Sequence, residues 1–172
     1  MNLVFRLVWV VVAAFFRPRL SVVESSAVTF RVWPLDMDIN LHLTNARYLS
    51  LMDLGRADFI IRSGAWRLMR KERLGTVLGG VAVRFRRSLA PFERFSLTTK
   101  LLGWDERWIY VEQVFKGKNG VACIAVARAT FIKSGKAVPF SELLRKAELE
   151  VVSPELPSWV GQWAEVEAAF AK

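Results

Sequence analysis

The apolar pattern changes period at Gly75, and that change limits the folds open to the chain. Upstream, residues 45–62 place Tyr48, Leu49, Leu51, Met52, Leu54, Phe59, Ile60 and Ile61 around most of a helical circumference. Such a helix is buried on more than one side. Downstream the period is two. Val81, Val83 and Phe85 alternate with Ala82, Arg84 and Arg86, and Phe95, Leu97, Thr99 and Leu101 alternate with Ser96, Thr98 and Lys100. Residues 108–115 continue the strand pattern. Gly117-Lys118-Asn119-Gly120 is a hairpin signal. Residues 121–132 are apolar almost throughout, the mark of a strand covered on both faces. Before the long helix, Val28, Phe30 and Val32 alternate with Thr29 and Arg31, and Pro34 closes that strand.

The expected order is helix, strand, long buried helix, four strands joined as a meander, then short helices. An α+β fold with an antiparallel sheet wrapped around one central helix satisfies it. A single such sheet leaves an edge and a face to be covered, so a homodimer or homotetramer is expected. Within 172 residues we read an N-terminal helix over 1–20, one domain over 21–150 and a helical tail over 151–172. Gly64 is the expected stop of the long helix, residues 66–74 a short basic segment, residues 141–149 a helix capped by Ser141, and residues 159–170 a final amphipathic helix.

Residues 3–16 are apolar except for Arg6; Arg17 and Arg19 close the run, and Pro18 ends the segment. Its uninterrupted apolar run, residues 7–16, is ten residues long, whereas a spanning helix needs about 20. A signal peptide would need a small-residue cleavage site, which Phe15-Phe16-Arg17-Pro18 does not offer. The segment therefore reads first as a helix docked on the domain or a partner subunit, next as a helix lying in the membrane plane, and last as a short signal anchor. The expected location is cytoplasmic, with membrane association through residues 1–20 as the variant.

The reactive residues gather in Asp36-Met37-Asp38-Ile39-Asn40-Leu41-His42-Leu43-Thr44-Asn45-Ala46-Arg47-Tyr48, between the first strand and the long helix. The stretch holds the chain's one histidine. One histidine and one cysteine, Cys123, cannot build the usual zinc sites, and no disulfide can close within the chain. Thr44 or Asn45 is the expected N-cap. Backbone N–H groups at Asn45 and Ala46 would then be free at the positive end of the helix dipole, able to polarise a carbonyl. Asp38, Asn40 and His42 are two residues apart in sequence, which in extended backbone puts all three on one face. Asp and Asn also serve as ordinary turn and cap residues in such a place, and Asp36 is read that way.

This stretch resembles the signature of the 4-hydroxybenzoyl-CoA thioesterase superfamily, in which an aspartate lies in the loop before the central helix of a hotdog fold. It is also similar to the loop of plant acyl-ACP thioesterases, Asp-x-Asp-x-Asn-x-His-Val-Asn-Asn-x-x-Tyr, with Leu43 for Val and Thr44 for the first paired Asn. The resemblance implies catalytic roles for Asp38, Asn40 and His42. It gives no role to Cys123, which sits inside an apolar strand. Some hotdog enzymes place their acid on the central helix, which makes Asp53 the second candidate; otherwise Asp53 pairs with Arg56 at helix-neighbour spacing, as Asp58 does with Arg62.

Thioester hydrolysis needs a nucleophile or an activated water, and donors for the oxyanion. Asp38 suits either task, with Asn40 and His42 holding the water or tuning the carboxylate. Arg84, Arg86 and Arg87, with Lys100 on the next strand, form a basic cluster suited to CoA phosphates or to a solvated sheet edge. The net charge of +9 fits an anionic partner, but no helix-turn-helix, RNP-type or zinc-knuckle motif points to nucleic acid. The expected activity is hydrolysis of an acyl-CoA, by preference fatty acyl, with neither metal nor cofactor. Alternatives are an acyl-ACP thioesterase and a non-catalytic acyl- or lipid-binding hotdog protein. A dehydratase-type enzyme would place its histidine opposite an acid of its partner, unlike this loop.

Overall fold

A computed structural model describes residues 2–169. The elements are α1 (Asn2–Phe16), β1 (Ser25–Arg31), α2 (Asn45–Arg62), α3 (Ala65–Glu72), β2 (Gly75–Phe85), β3 (Arg94–Trp104), β4 (Ile109–Gly117), β5 (Gly120–Lys133), β6 (Lys136–Val138), α4 (Phe140–Lys146) and α5 (Ser158–Ala169). The strands form one antiparallel sheet in the order β1-β3-β4-β5-β2, with the short β6 also on β5. The sheet curls around α2, as a hotdog fold requires.

The α2 boundaries follow from local chemistry. Thr44 has extended backbone and its Oγ1 accepts from the Arg47 N–H at 3.2 Å, which makes it the N-cap. At the other end Gly64 adopts φ +78°, a left-handed conformation that costs glycine little. Gly64 also caps α3, so the basic segment expected over residues 66–74 is a helix that starts where α2 stops. Two faces of α2 are covered. Leu51, Met52 and Tyr48 enter the main core with Val28, Phe95, Leu97 and Phe115, and α1 adds Val10 from the other side. Gly55 lets helix and sheet approach closely: a Cβ there would lie 2.7 Å from Thr99 Oγ1 and 2.9 Å from Gln113 Nε2. The buried Gln113 satisfies both ends, donating to Met52 O (2.9 Å) and Thr99 Oγ1 (3.1 Å) and accepting from Arg56 (2.7 Å).

The strand assignments hold, but the connection differs from the expected four-strand meander. Of the four strands expected in the meander, β3, β4 and β5 run as consecutive hairpins. β2 crosses over and pairs with β5 at the far edge, Val81 opposite Ala127 and Phe85 opposite Cys123. Both edges of β3 are taken, by β1 and β4, so β2 does not pair with it. Lys100 is therefore remote from Arg84. It sits on β3 opposite Ser25 of β1 and Glu112 of β4, three strands from β2. The Arg cluster also lies only partly on a strand, because β2 ends at Phe85.

β5 is covered on both faces. Cys123 and Ala125 face the core, and Val126 packs with Tyr110 and Val160 under α5. Arg128 ties α5 down through Glu167 at 2.7 Å and lies over the Trp108 ring. The last expected helix is α5, and Phe170 lies outside the described residues. α4 starts at Phe140 after Pro139, one residue before the expected Ser141 cap.

Candidate active site

The loop from Trp33 to Thr44 is built around a buried acid. Asp36 closes a 3-10 turn over Pro34–Asp36, and its Oδ2 accepts from the Trp33 N–H at 2.9 Å. Arg6 of α1 reaches the same oxygen at 2.5 Å. Arg47 of α2 brings Nε to 3.1 Å of Oδ1. The carboxylate is fully buried. Asp36 thus joins the N-terminal helix, the loop and the start of α2, a role larger than the turn acid expected from sequence. Its backbone carbonyl also accepts from the Thr44 N–H at 3.0 Å.

Beyond Asp36 the chain makes a small hairpin, with Met37 bridged to Leu43 and the Asp38 N–H donating to His42 O at 3.3 Å. The tip is a tight turn, Leu41 N–H to Asp38 O at 3.1 Å, with Leu41 at φ +55°. This corrects the extended backbone assumed for Asp38, Asn40 and His42. Asp38 and His42 meet across the hairpin, with Nδ1 3.8 Å from Oδ1. Asn40 rides at the exposed tip, and it is its backbone N–H that meets Asp38, at 2.9 Å from Oδ1. Asp38 and His42 are each about one-third exposed in their side chains, so a substrate can reach both.

The hairpin stands beside the start of α2. Thr44 caps the Arg47 N–H, and the Asn45 and Ala46 N–H groups find no partner among the described residues. These exposed donors sit at the positive end of an 18-residue helix. The basic segment after β2 belongs to the same end of the molecule. The Leu43 N–H donates to Leu89 O at 3.1 Å, and the Tyr48 ring meets Phe85 edge-on at 5.2 Å. Arg84, Arg86 and Arg87 flank Phe85 and are exposed. Arg87 is partly committed, since its guanidinium donates to Asn119 O. Burial raises the hydroxyl pKa of Tyr48, which keeps that ring neutral as packing for the site.

Asp53 is elsewhere. It lies two turns along α2, about 12 Å beyond Asn45 at 1.5 Å per residue. It is 71% exposed and paired to Arg56. Both are among the residues lining an apolar cavity of about 480 Å³ between α2, α3, α4 and the sheet, with Phe59, Leu68, Leu101, Ile109, Phe131 and Leu144 on its walls. Sequence reasoning did not find this cavity, because its walls come from seven elements spread along the chain. Within one chain the structure brings Asp38 to His42 and does not bring Asp38 to Asp53. Cys123 is fully buried, and burial pushes its thiol up to about 12, so it has neither the access nor the charge of a nucleophile.

The model of one family, the thioesterase-like superfamily, matches residues 32–163, a span that contains the loop, α2 and the whole sheet except β1. The chain belongs to the thioesterase-like superfamily. Membership supports thioester hydrolysis as the class of chemistry. Among curated relatives, Protein THEM6 of Danio rerio is 33% identical over 88% of this chain and 77% of its own, and Protein THEM6 of Xenopus laevis 36% over 77% and 63%. Thioesterase lcsJ of Purpureocillium lilacinum is 27% identical over 56% of this chain, which spans only 38% of that protein. Among solved structures, the probable thioesterase YbaW of Escherichia coli superposes with a TM-score of 0.66 at 24% identity, over 71% of this chain and 96% of its own. A gentisyl-coenzyme A thioesterase, BH1999, superposes with 0.61 at 17% identity, over 70% and 99%. At these identities the structural likeness establishes the hotdog fold of this superfamily member.

Proposed function

We propose that the protein hydrolyses an acyl-CoA thioester, by preference fatty acyl, to the free acid and CoA. The observation that carries this is the Asp38–His42 pair at 3.8 Å, beside the unpartnered N–H groups that open α2, in a chain of this superfamily. The thioester carbonyl oxygen docks on the Asn45 and Ala46 N–H groups, which receive the negative charge as it develops. Asp38 either takes a proton from the attacking water or attacks the carbonyl carbon itself. In the first case the water oxygen bonds to carbon, the carbon–sulfur bond breaks, and the thiolate of CoA leaves to be protonated by solvent. In the second the Asp38 carboxylate bonds to the carbonyl carbon, the carbon–sulfur bond breaks and the CoA thiolate leaves to be protonated by solvent; water then cleaves the mixed anhydride to free acid and the Asp38 carboxylate. His42 steadies the carboxylate or the water. Asn40 supports the turn through its backbone contact to Asp38. Arg84, Arg86 and Arg87 at the same end meet the CoA phosphates, and no step calls on a metal or bound cofactor.

The acyl chain occupies the 480 Å³ cavity, whose walls are apolar. Because that cavity is lined by Asp53 and not by Asp38, the complete site needs a second copy. The support for one is β2, which among the described residues pairs only with β5 and carries the exposed Val77, Leu78 and Phe85 on this edge strand. Joining two copies there makes a homodimer in which the loop of one protomer serves the cavity of its partner.

Thiol release from a panel of short, long and aromatic acyl-CoA substrates, run with Asp38→Ala and His42→Ala, tests the proposal. Turnover of at least one substrate that collapses in Asp38→Ala is expected. A folded dimer that is no faster than Asp38→Ala on every substrate would overturn it. The acyl-ACP arm of the panel separates carrier preference, and acyl-CoA binding without turnover would favour the non-catalytic reading.

A further inference from the structure

α1 has two unlike faces. Leu3, Arg6, Val10 and Ala14 point inward, where Val10 and Ala14 are fully buried and Arg6 meets Asp36. Val4, Phe5, Val8, Val12, Phe15 and Phe16 point outward and are 51–86% exposed. These residues recur at three- and four-residue spacing, so they form one continuous stripe of bulky apolar groups. Exposed stripes of this kind mark an interaction surface. Their helix is 15 residues long, about 22 Å, and among the described residues no helix is long and apolar enough to cross a membrane.

The stripe ends on a basic pocket. Arg17 and Arg19 after α1, Arg62 at the end of α2 and Arg67 on α3 line it together, with Phe15 and Trp66 packed edge-on at 5.4 Å on its apolar side. One acid serves this group: Asp58, buried behind it, pairs with Arg17 at 3.2 Å and Arg62 at 3.4 Å. Arg19 and Arg67 have no carboxylate partner among the described residues. Residues 1–20 contain no Asp or Glu at all.

We propose that the outward face of α1 lies in the surface of an anionic phospholipid bilayer, with the arginine pocket receiving a lipid phosphate at headgroup depth. Bulky side chains of the stripe enter the acyl boundary, and the arginines at its end stay level with the phosphates, the arrangement of an interfacial helix. Charge decides against a second copy as the occupant. Two α1 faces packed together would bring arginines to an interface whose own segment offers no acid. This proposal goes beyond the hydrolase reading and does not depend on it.

Flotation of the full chain with vesicles tests it, using phosphatidylcholine alone and phosphatidylcholine with phosphatidylglycerol. The wild type should float with the anionic vesicles, less with the neutral ones, and less again at high salt. Phe5→Glu/Val12→Glu should abolish flotation. Arg19→Glu/Arg67→Glu should weaken it by about fivefold or more per arginine on anionic vesicles. All four positions are solvent-facing or half-buried without ion pairs, and a thermal melt verifies that each variant is folded. No flotation of folded wild type, or flotation unchanged in both variants, overturns the proposal. So does a drop in molar mass by light scattering for Phe5→Glu/Val12→Glu, which would show a second copy on this face.

Discussion

Replacing Asp36 with Asn should loosen the molecule at the point where three elements meet. The exchange keeps the shape and removes the one charge that offsets Arg6 and Arg47. Removing one partner of a buried ion pair typically costs about 3–5 kcal/mol. Here the two arginine side chains retain 13% and 25% exposure, so each recovers some hydration, and the lower end, about 3 kcal/mol, is expected. For a domain of this size about 2–4 °C of melting temperature accompanies each kcal/mol, hence a fall of about 6–12 °C. Thermal and urea denaturation of wild type, Asp36→Asn, Arg6→Met and the double variant complete a cycle, in which the Arg6–Asp36 coupling should be about 1–3 kcal/mol. Because Asp36 anchors the segment that carries Asp38, turnover should also fall below the melting range. A melting temperature within about 2 °C of wild type, with additive single effects, would refute the view that this acid ties α1, the loop and α2 together.

Three further outcomes follow from particular contacts. Gly55→Ala should destabilise by about 1–3 kcal/mol in urea titrations, because its Cβ would crowd Thr99 Oγ1 and Gln113 Nε2. Stability should decline as pH rises above about 9, because the unfolded Cys123 thiol ionises near 9.0 while the buried one holds its proton to about 12; the raised pKa adds stability below 9 that is lost on the way up. Cys123→Ala should flatten that part of the denaturation profile. Ala57→Trp, which narrows the cavity beneath α2, should slow long-chain substrates more than short ones, read as the ratio of kcat/KM values across the panel.

Local chemistry made much of this fold legible in the sequence. The span of α2 follows from Thr44, Gly64 and the apolar circumference between them, and the structure gives the same span. The alternation through β3 and β4 likewise survives as buried and half-buried positions. Pairing order was not legible, since period two makes a strand without naming its neighbour. β2 therefore joined the expected meander, and Lys100 was placed beside Arg84. The eight-residue α3 was hidden because one glycine both ends α2 and starts it. In the site, residue types were visible and geometry was not. Nothing local announces that Leu41 takes φ +55° and folds the extended segment into a hairpin. Nor does sequence reveal that Arg6, 30 residues upstream, holds Asp36.

The central claim is that the loop acid, and not the helix acid, carries the hydrolysis. The direct measurement is kcat for Asp38→Asn beside Asp53→Asn on one acyl-CoA substrate, with dimerisation and melting temperature verified for both. General-base or nucleophilic loss at Asp38 should lower kcat by about 10²–10⁴, while Asp53→Asn, which breaks only an exposed pair with Arg56, should stay within about threefold of wild type. A collapse in Asp53→Asn with near-normal turnover in Asp38→Asn would contradict the account and move the chemistry to the helix acid.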